Sequence, residues 1–272
     1  MKINFQLQSC NNKIALLFKE HLLILQEFIE GTTFHKSYLP KDILLESSTL
    51  LGKMHKILHN KFKYDIPTLF WTAPNIEKEK EEIDYLIRLI ENIKNDKNYD
   101  TLKKSLIYKK NMLPKVYKYC SMFNNLTFSI THGDYSKRQL ITKNNKINAI
   151  IDFSCSDILP VSWELIRSYF LSTQSCYKNN QFDSEQFCEY IKAYLKQFDL
   201  NNEDLKAMPY IFLYQLILSK YGYNEYIEET SNKEEIIDYI TWKDNICIFL
   251  EKNIDNIENN ECEYIKKFLV NK

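Results

Sequence analysis

Residues 131–153 read THGDYSKRQLITKNNKINAIIDF, and three of their side chains carry oxygen at suggestive intervals. Asp134 is followed five positions on by an amide, Gln139, and eighteen positions on by a second acid, Asp152. Two apolar runs flank Asn144 and Asn145, a dipeptide that tolerates the positive φ of a two-residue hairpin turn. With the turn there, Gln139 is expected to face Ile150 and Lys137 to face Asp152. Gln139 and Asp152 would then be diagonal neighbours on one face, about 7 to 8 Å apart. Two hard oxygen donors at that separation suit one Mg²⁺, and Asp134, in the loop before the hairpin, is placed to orient an attacking hydroxyl and take its proton. That division of labour is what metal-assisted phosphoryl transfer needs. The plainer alternative is that both acids cap a turn and a strand.

The elements that must hold this hairpin follow from apolar periodicity. Residues 1–30 read as strands: KINFQLQS alternates, Asn11 and Asn12 signal a turn, and IALLFK and HLLILQEFI are two apolar runs ending at Gly31. Residues 39–60 repeat apolar side chains at helical spacing, among them Leu44, Leu51, Met54, Ile57 and Leu58. Further helices are expected after Pro74 and over about 99–124. LTFSIT (126–131) is a β-rich run. Beyond the hairpin nearly everything is helical in period, from WELIRSYFLSTQ to ECEYIKKFLV. A little β, a block of α, one hairpin and then α to the end is the order of an α+β fold.

Composition narrows the partners. Lysine plus arginine and aspartate plus glutamate both number 36, so no net charge recommends nucleic acid or an anionic membrane. A small molecule is the expected partner. Seven cysteines form no CxxC pair and read as reduced, mostly buried thiols. The N-terminal residues lack the apolar core of a signal peptide, and no apolar run reaches membrane-spanning length, so a cytoplasmic protein is expected.

The segments HGDYSKRQLI and INAIIDF resemble the HGD and IDF segments of aminoglycoside phosphotransferases, choline kinases and type II homoserine kinases. LLILQEFIEG (22–31) is similar to that family's hinge, LLGKMHKIL (50–58) to the first helix of its larger lobe, and SDILPVSWELIRSY to the helix behind its metal site. The likeness spans roughly residues 15–175. It implies a protein-kinase-like fold: a large, mostly helical C-terminal lobe (32–272) with a catalytic β-hairpin, and a much reduced N-terminal β lobe ending in the hinge (1–31). It implies ATP as co-substrate and Mg²⁺ as cofactor, Asp134 as the catalytic aspartate, Gln139 and Asp152 as metal ligands, His132 as a loop brace, and the backbone of Glu27, Phe28 and Ile29 as the adenine-contacting hinge.

Two features depart from that pattern. None of the four glycines (31, 52, 133 and 222) precedes the hinge, so no Gly-rich phosphate loop is expected, and Gln139 stands where the family usually has asparagine. A catalytically impaired, pseudokinase-like binding module is therefore the alternative to an enzyme. Lys137 and Arg138 are candidate phosphate cations or solvated surface. His55 and His59 are expected to be a surface pair, Cys155 a packed thiol, and Trp163, Glu164 and Arg167 an ion pair and an aromatic anchor behind the hairpin. The aromatic-rich stretch 210–226 reads as core.

Overall fold

A computed structural model of the chain describes residues 2–3, 15–18, 21–24, 28–35, 37–62, 75–179, 181–228 and 231–269. Among these the α+β organisation expected from the sequence is met. Short strands β1 (Lys2–Ile3), β2 (Ala15–Phe18) and β3 (His21–Ile24) come first, β2 and β3 forming an antiparallel pair. Helices α1 (Lys41–Lys61), α2 (Ile76–Ile90) and α3 (Tyr99–Tyr117) follow, then β4 (Phe128–Ile130) and the hairpin of β5 (Leu140–Lys143) and β6 (Lys146–Ile150). After β7 (Ile158–Pro160) the chain is helical: α4 (Val161–Ser172), α5 (Gln174–Asn179), α6 (Ser184–Leu195), α7 (Asn202–Leu218), α8 (Tyr223–Glu228) and α9 (Lys233–Leu269).

The centre of the helical part is α7, whose buried residues occupy every side of the helix and include Leu205, Met208, Ile211, Phe212 and Tyr214. A helix apolar all round must be enclosed, and α3, α4 and α9 pack around it. Its start is fixed by a capping box: Asp204 N donates to Asn201 Oδ1 at 2.7 Å and Asn201 N donates to Asp204 Oδ2 at 3.0 Å. Asp204 also takes the backbone N–H of Thr127 at 2.7 Å and its hydroxyl at 2.6 Å, which ties α7 to the chain entering β4. Tyr210, Phe212, Tyr214, Tyr223 and Tyr226 are buried, as the reading of 210–226 as core requires, whereas Tyr221 in the same stretch is exposed.

The hairpin turn lies where the sequence puts it, with φ of 53° at Asn144 and 56° at Asn145. Its register departs from the expectation. Lys143 pairs with Lys146 and Thr142 with Ile147, but a bulge then shifts the ladder, so that Ile141 pairs with Ala149 and Leu140 with Ile150. One extra residue on one strand moves every later pairing by one position, and side chains trade faces. Gln139 consequently meets Ile151, whose N–H donates to its carbonyl oxygen at 3.0 Å, and not Ile150. It closes a 3-10 turn (Lys137–Gln139) instead of opening the strand. β4 joins β7 in a separate antiparallel pair that the sequence reading did not include.

Residues 28–32 lie against the hairpin. Thr32 and Thr142 exchange backbone hydrogen bonds of 3.0 and 2.8 Å, and Asn148 donates to Glu30 O at 3.2 Å. The approach requires glycine at 31, where φ is +144° and an added Cβ would lie 2.5 Å from both Ile141 Cγ2 and Thr142 O. Among the described residues no helix is long and apolar enough to cross a membrane.

Candidate active site

The loop between β4 and the 3-10 turn carries His132, Gly133 and Asp134, and its shape is imposed from behind by α4. Pro160 precedes α4, and one turn into the helix Glu164 sits fully buried beneath the loop. Its carboxylate accepts from His132 N at 3.0 Å, Gly133 N at 2.6 Å and His55 Nε2 at 2.9 Å. Burial by itself would push this carboxyl up. The hydrogen bond from His55 and the backbone donors of the loop outweigh it and hold the group below its ordinary value.

His55 corrects a sequence expectation. It is completely buried, its Nδ1 accepting from the Tyr194 hydroxyl at 2.7 Å, while His59 is exposed and donates to Phe128 O at 3.1 Å. Spacing explains the difference: Leu51, Met54, His55 and Leu58 fall at i, i+3, i+4 and i+7, so His55 lies on the apolar stripe of α1. That stripe was the signal that could have found it.

His132 braces the loop. Asp134 N donates to its Nδ1 at 3.3 Å, which leaves Nε2 protonated, and Nε2 donates to Ile151 O at 2.8 Å. The Phe153 ring lies 4.5 Å away, centroid to centroid. Gly133 has φ of +81°, and a Cβ there would stand 1.8 Å from Cys155 O. Only glycine lets the loop approach the turn after β6 so closely. Cys155 itself is exposed and not packed, because the 3-10 turn Phe153–Cys155 presents its backbone, rather than its thiol, to the loop.

Asp134 is held at both carboxylate oxygens. Gln139 Nε2 donates to Oδ2 at 2.9 Å, and Arg167, one turn beyond Glu164 on α4, forms an ion pair with Oδ1. Ser136 donates to Gln139 Oε1 at 2.6 Å and so sets which way that amide turns. Asp152 follows β6 in the left-handed conformation, φ 63°, and is exposed; its Oδ1 accepts from the Ser154 hydroxyl at 2.6 Å. The structure therefore brings Asp134 and Gln139 into contact and sets Asp152 just past the strand that pairs with the residues after Gln139. Of the hinge residues, Phe28 is exposed and Ile29 buried, and Glu27 lies outside the described residues.

The two cations after the loop differ. Lys137 is buried, with Nζ 4.0 Å from the centre of the Tyr38 ring, and burial first and the charge of Arg138 second lower it to about 8. Arg138 is exposed. The expectation of an ion pair and aromatic anchor on α4 is met in a more specific form. Glu164 grips the loop backbone, Arg167 grips the side chain of Asp134, and the Trp163 ring lies 5.6 Å from the guanidinium carbon of Arg167. What the sequence did not indicate is that these partners belong to the loop itself.

Among the described residues no three His, Cys, Asp or Glu side chains cluster as a metal cage. Mg²⁺ does not need one, since it is commonly held by one or two carboxylates together with substrate phosphates and water. An exposed carboxylate at Asp152 and an amide oxygen at Gln139 are hard donors of the right kind.

Residues 14–208 match the model of the phosphotransferase enzyme family. The fold is similar to an aminoglycoside phosphotransferase from Alicyclobacillus acidocaldarius (11% identity, 95% of this chain and 79% of that one, TM-score 0.61). It is also similar to a spectinomycin phosphotransferase in complex with ADP and spectinomycin (12%, 91% and 76%, TM-score 0.60) and to choline kinase from Cryptosporidium parvum (16%, 89% and 74%, TM-score 0.56). These likenesses bear out the kinase-like fold. No curated protein sequence matches the chain.

Proposed function

The chain belongs to the phosphotransferase enzyme family, and from that premise we propose that it transfers the γ-phosphoryl group of ATP to a hydroxyl of a small polar molecule. The observation that carries this reading is Asp134, a partly exposed carboxylate at the mouth of a loop whose backbone is clamped by a buried glutamate. An anion so fixed is suited to orient an incoming hydroxyl. The hydroxyl oxygen forms its bond to the γ-phosphorus as the bond from that phosphorus to the β–γ bridging oxygen breaks. ADP leaves with the electron pair, and the hydroxyl proton passes to Asp134 Oδ2.

Asp152 and the Gln139 side-chain amide oxygen would hold Mg²⁺, which when bound neutralises charge on the β and γ phosphates. For Gln139 this means exchanging its Ser136 bond for the cation. The backbone of Glu27, Phe28 and Ile29 would contact the adenine, with residues 1–31 as the reduced small lobe and 32–272 as the helical lobe. A non-catalytic binding module is the second reading, and Gln139 favours it: in place of the usual asparagine stands a longer amide already engaged by Ser136 and Asp134.

Melting of the purified protein with and without Mg²⁺-ATP, repeated with Asp152→Asn and Asp134→Ala, tests both. The enzyme reading expects an upward shift in the parent, a smaller one in Asp152→Asn, and ATP turnover lost in Asp134→Ala. A shift without turnover supports the module. No shift in the parent defeats the nucleotide reading altogether.

A further inference from the structure

We propose that Arg167 is the positioning residue of this site: it locks Oδ1 of Asp134 and thereby reserves Oδ2 as the working oxygen. The inference rests on the reading of Asp134 as the residue that orients the acceptor hydroxyl. Its basis is the asymmetry of the two contacts. Oδ1 meets a guanidinium that is 15% exposed, whereas Oδ2 meets the neutral amide of Gln139 at 2.9 Å. A charge-assisted bond to a largely buried arginine is the harder of the two to displace. A hydroxyl approaching Asp134 therefore takes the place of the Gln139 amide and leaves the ion pair intact.

The surroundings keep Arg167 where it is. Its Nη1 is buried with no hydrogen-bond partner among the described residues, so Asp134 is the anion that compensates this guanidinium. The Trp163 ring beside it covers one side. Three residues earlier on the same helix, Glu164 fixes the loop backbone. One turn of α4 thus sets both the position of the loop and the rotation of its carboxylate. That rotation matters because the terminal torsion of aspartate is soft and broad when nothing holds it. A displacement of about 1 Å at a reacting group can cost about 100-fold in rate.

The same swap gives Gln139 a second duty. Displaced from Oδ2, its amide is held by Ser136 alone, so that acceptor docking loosens the side chain that would contribute to the metal site. Arg167 is what makes the exchange fall on Oδ2.

The test uses water as the acceptor. Hydrolysis of Mg²⁺-ATP is measured for the parent, Arg167→Gln, Arg167→Lys and Gln139→Ala, with Mg²⁺-ADP binding followed by calorimetry on the same proteins. Arg167→Gln is expected to lower kcat about 100-fold while KM for Mg²⁺-ATP and the affinity for Mg²⁺-ADP stay within about twofold. Arg167→Lys, which keeps a cation near Oδ1 but not the planar fork, is expected to recover roughly a tenth of the parent rate. Gln139→Ala is expected to lose less kcat than Arg167→Gln. A merely structural arginine would move KM, kcat and nucleotide affinity together and would show no recovery with lysine. A kcat for Arg167→Gln within threefold of the parent overturns the proposal. So does a parent that binds Mg²⁺-ADP but hydrolyses no ATP above the Asp134→Ala background, because a carboxylate held in working orientation must orient water. A parent that binds no nucleotide overturns the phosphotransferase reading as well, and calorimetry separates that outcome from the others.

Discussion

Replacing Glu164 by glutamine keeps the shape of the side chain and removes its charge, which isolates what the clamp beneath the loop contributes. The carboxylate accepts three hydrogen bonds, two on Oε2 (from His55 and His132) and one on Oε1 (from Gly133). In the glutamine the amide nitrogen must take one of these places, and the Oε1 side costs fewer bonds, leaving an N–H facing the Gly133 N–H. Hydrogen bonds to a charged group contribute about 1.5 to 3 kcal/mol each, and a lost one also strands a buried donor. With the other two weakened to neutral bonds, the expected destabilisation is about 3 to 5 kcal/mol, of which about 1 to 3 comes from the stranded Gly133 N–H and about 1 from each weakened bond. At about 2 to 4 °C per kcal/mol for a chain of this order of size, melting should fall by roughly 10 °C. Urea denaturation at neutral pH, read by circular dichroism without ligand, gives the difference directly. Its pH dependence has a definite sign. The Glu164 carboxyl is held below its ordinary value in the folded protein, so its contribution is complete above the unfolded pKa of about 4.3 and is lost as pH falls through the folded one. The gap between parent and variant should therefore be constant from neutral pH to about 5 and should close on further acidification. A neutral-pH difference below about 1 kcal/mol would refute the claim that Glu164 organises the loop.

Gly133→Ala should be severely destabilising, by about 3 kcal/mol or more, because the new Cβ meets a backbone oxygen at 1.8 Å in a positive-φ residue; the urea midpoint reports it. Asn145→Gly should raise stability by about 0.5 to 1 kcal/mol, since both turn residues have positive φ and glycine carries no steric penalty there; an unchanged or lower melting temperature would contradict the turn geometry. Lys243 is buried with Nζ donating to Tyr221 O at 2.5 Å, and burial, then the charge of Lys109, push it down to about 7. The unfolded chain thus binds more protons between pH 7 and about 10.5, and stability should rise with pH across that window. In Lys243→Met that rise should be visibly flatter in urea midpoints taken at pH 7 and 9.

Much of this protein is written locally. The periods of α1, α2, α4, α6 and α7, the turn at Asn144 and Asn145, and the placing of Asp134, Gln139 and Asp152 within one short segment need only neighbouring residues, so the sequence by itself determined them. The tertiary structure decided the rest. The bulge that pairs Leu140 with Ile150 is invisible in the alternation of the strands, because an extra residue leaves each run apolar and β-rich while shifting which side chains meet. His55 looked like half of a surface pair until the stripe of α1 turned it inward to Glu164, 109 positions away in the chain. Arg167 and Asp134 are 33 positions apart, and nothing in either local pattern names the other. Periodicity tells which face of an element is buried. Which polar group on that face answers which donor depends on how α1, α4 and the loop pack, and only the assembled fold specifies that packing.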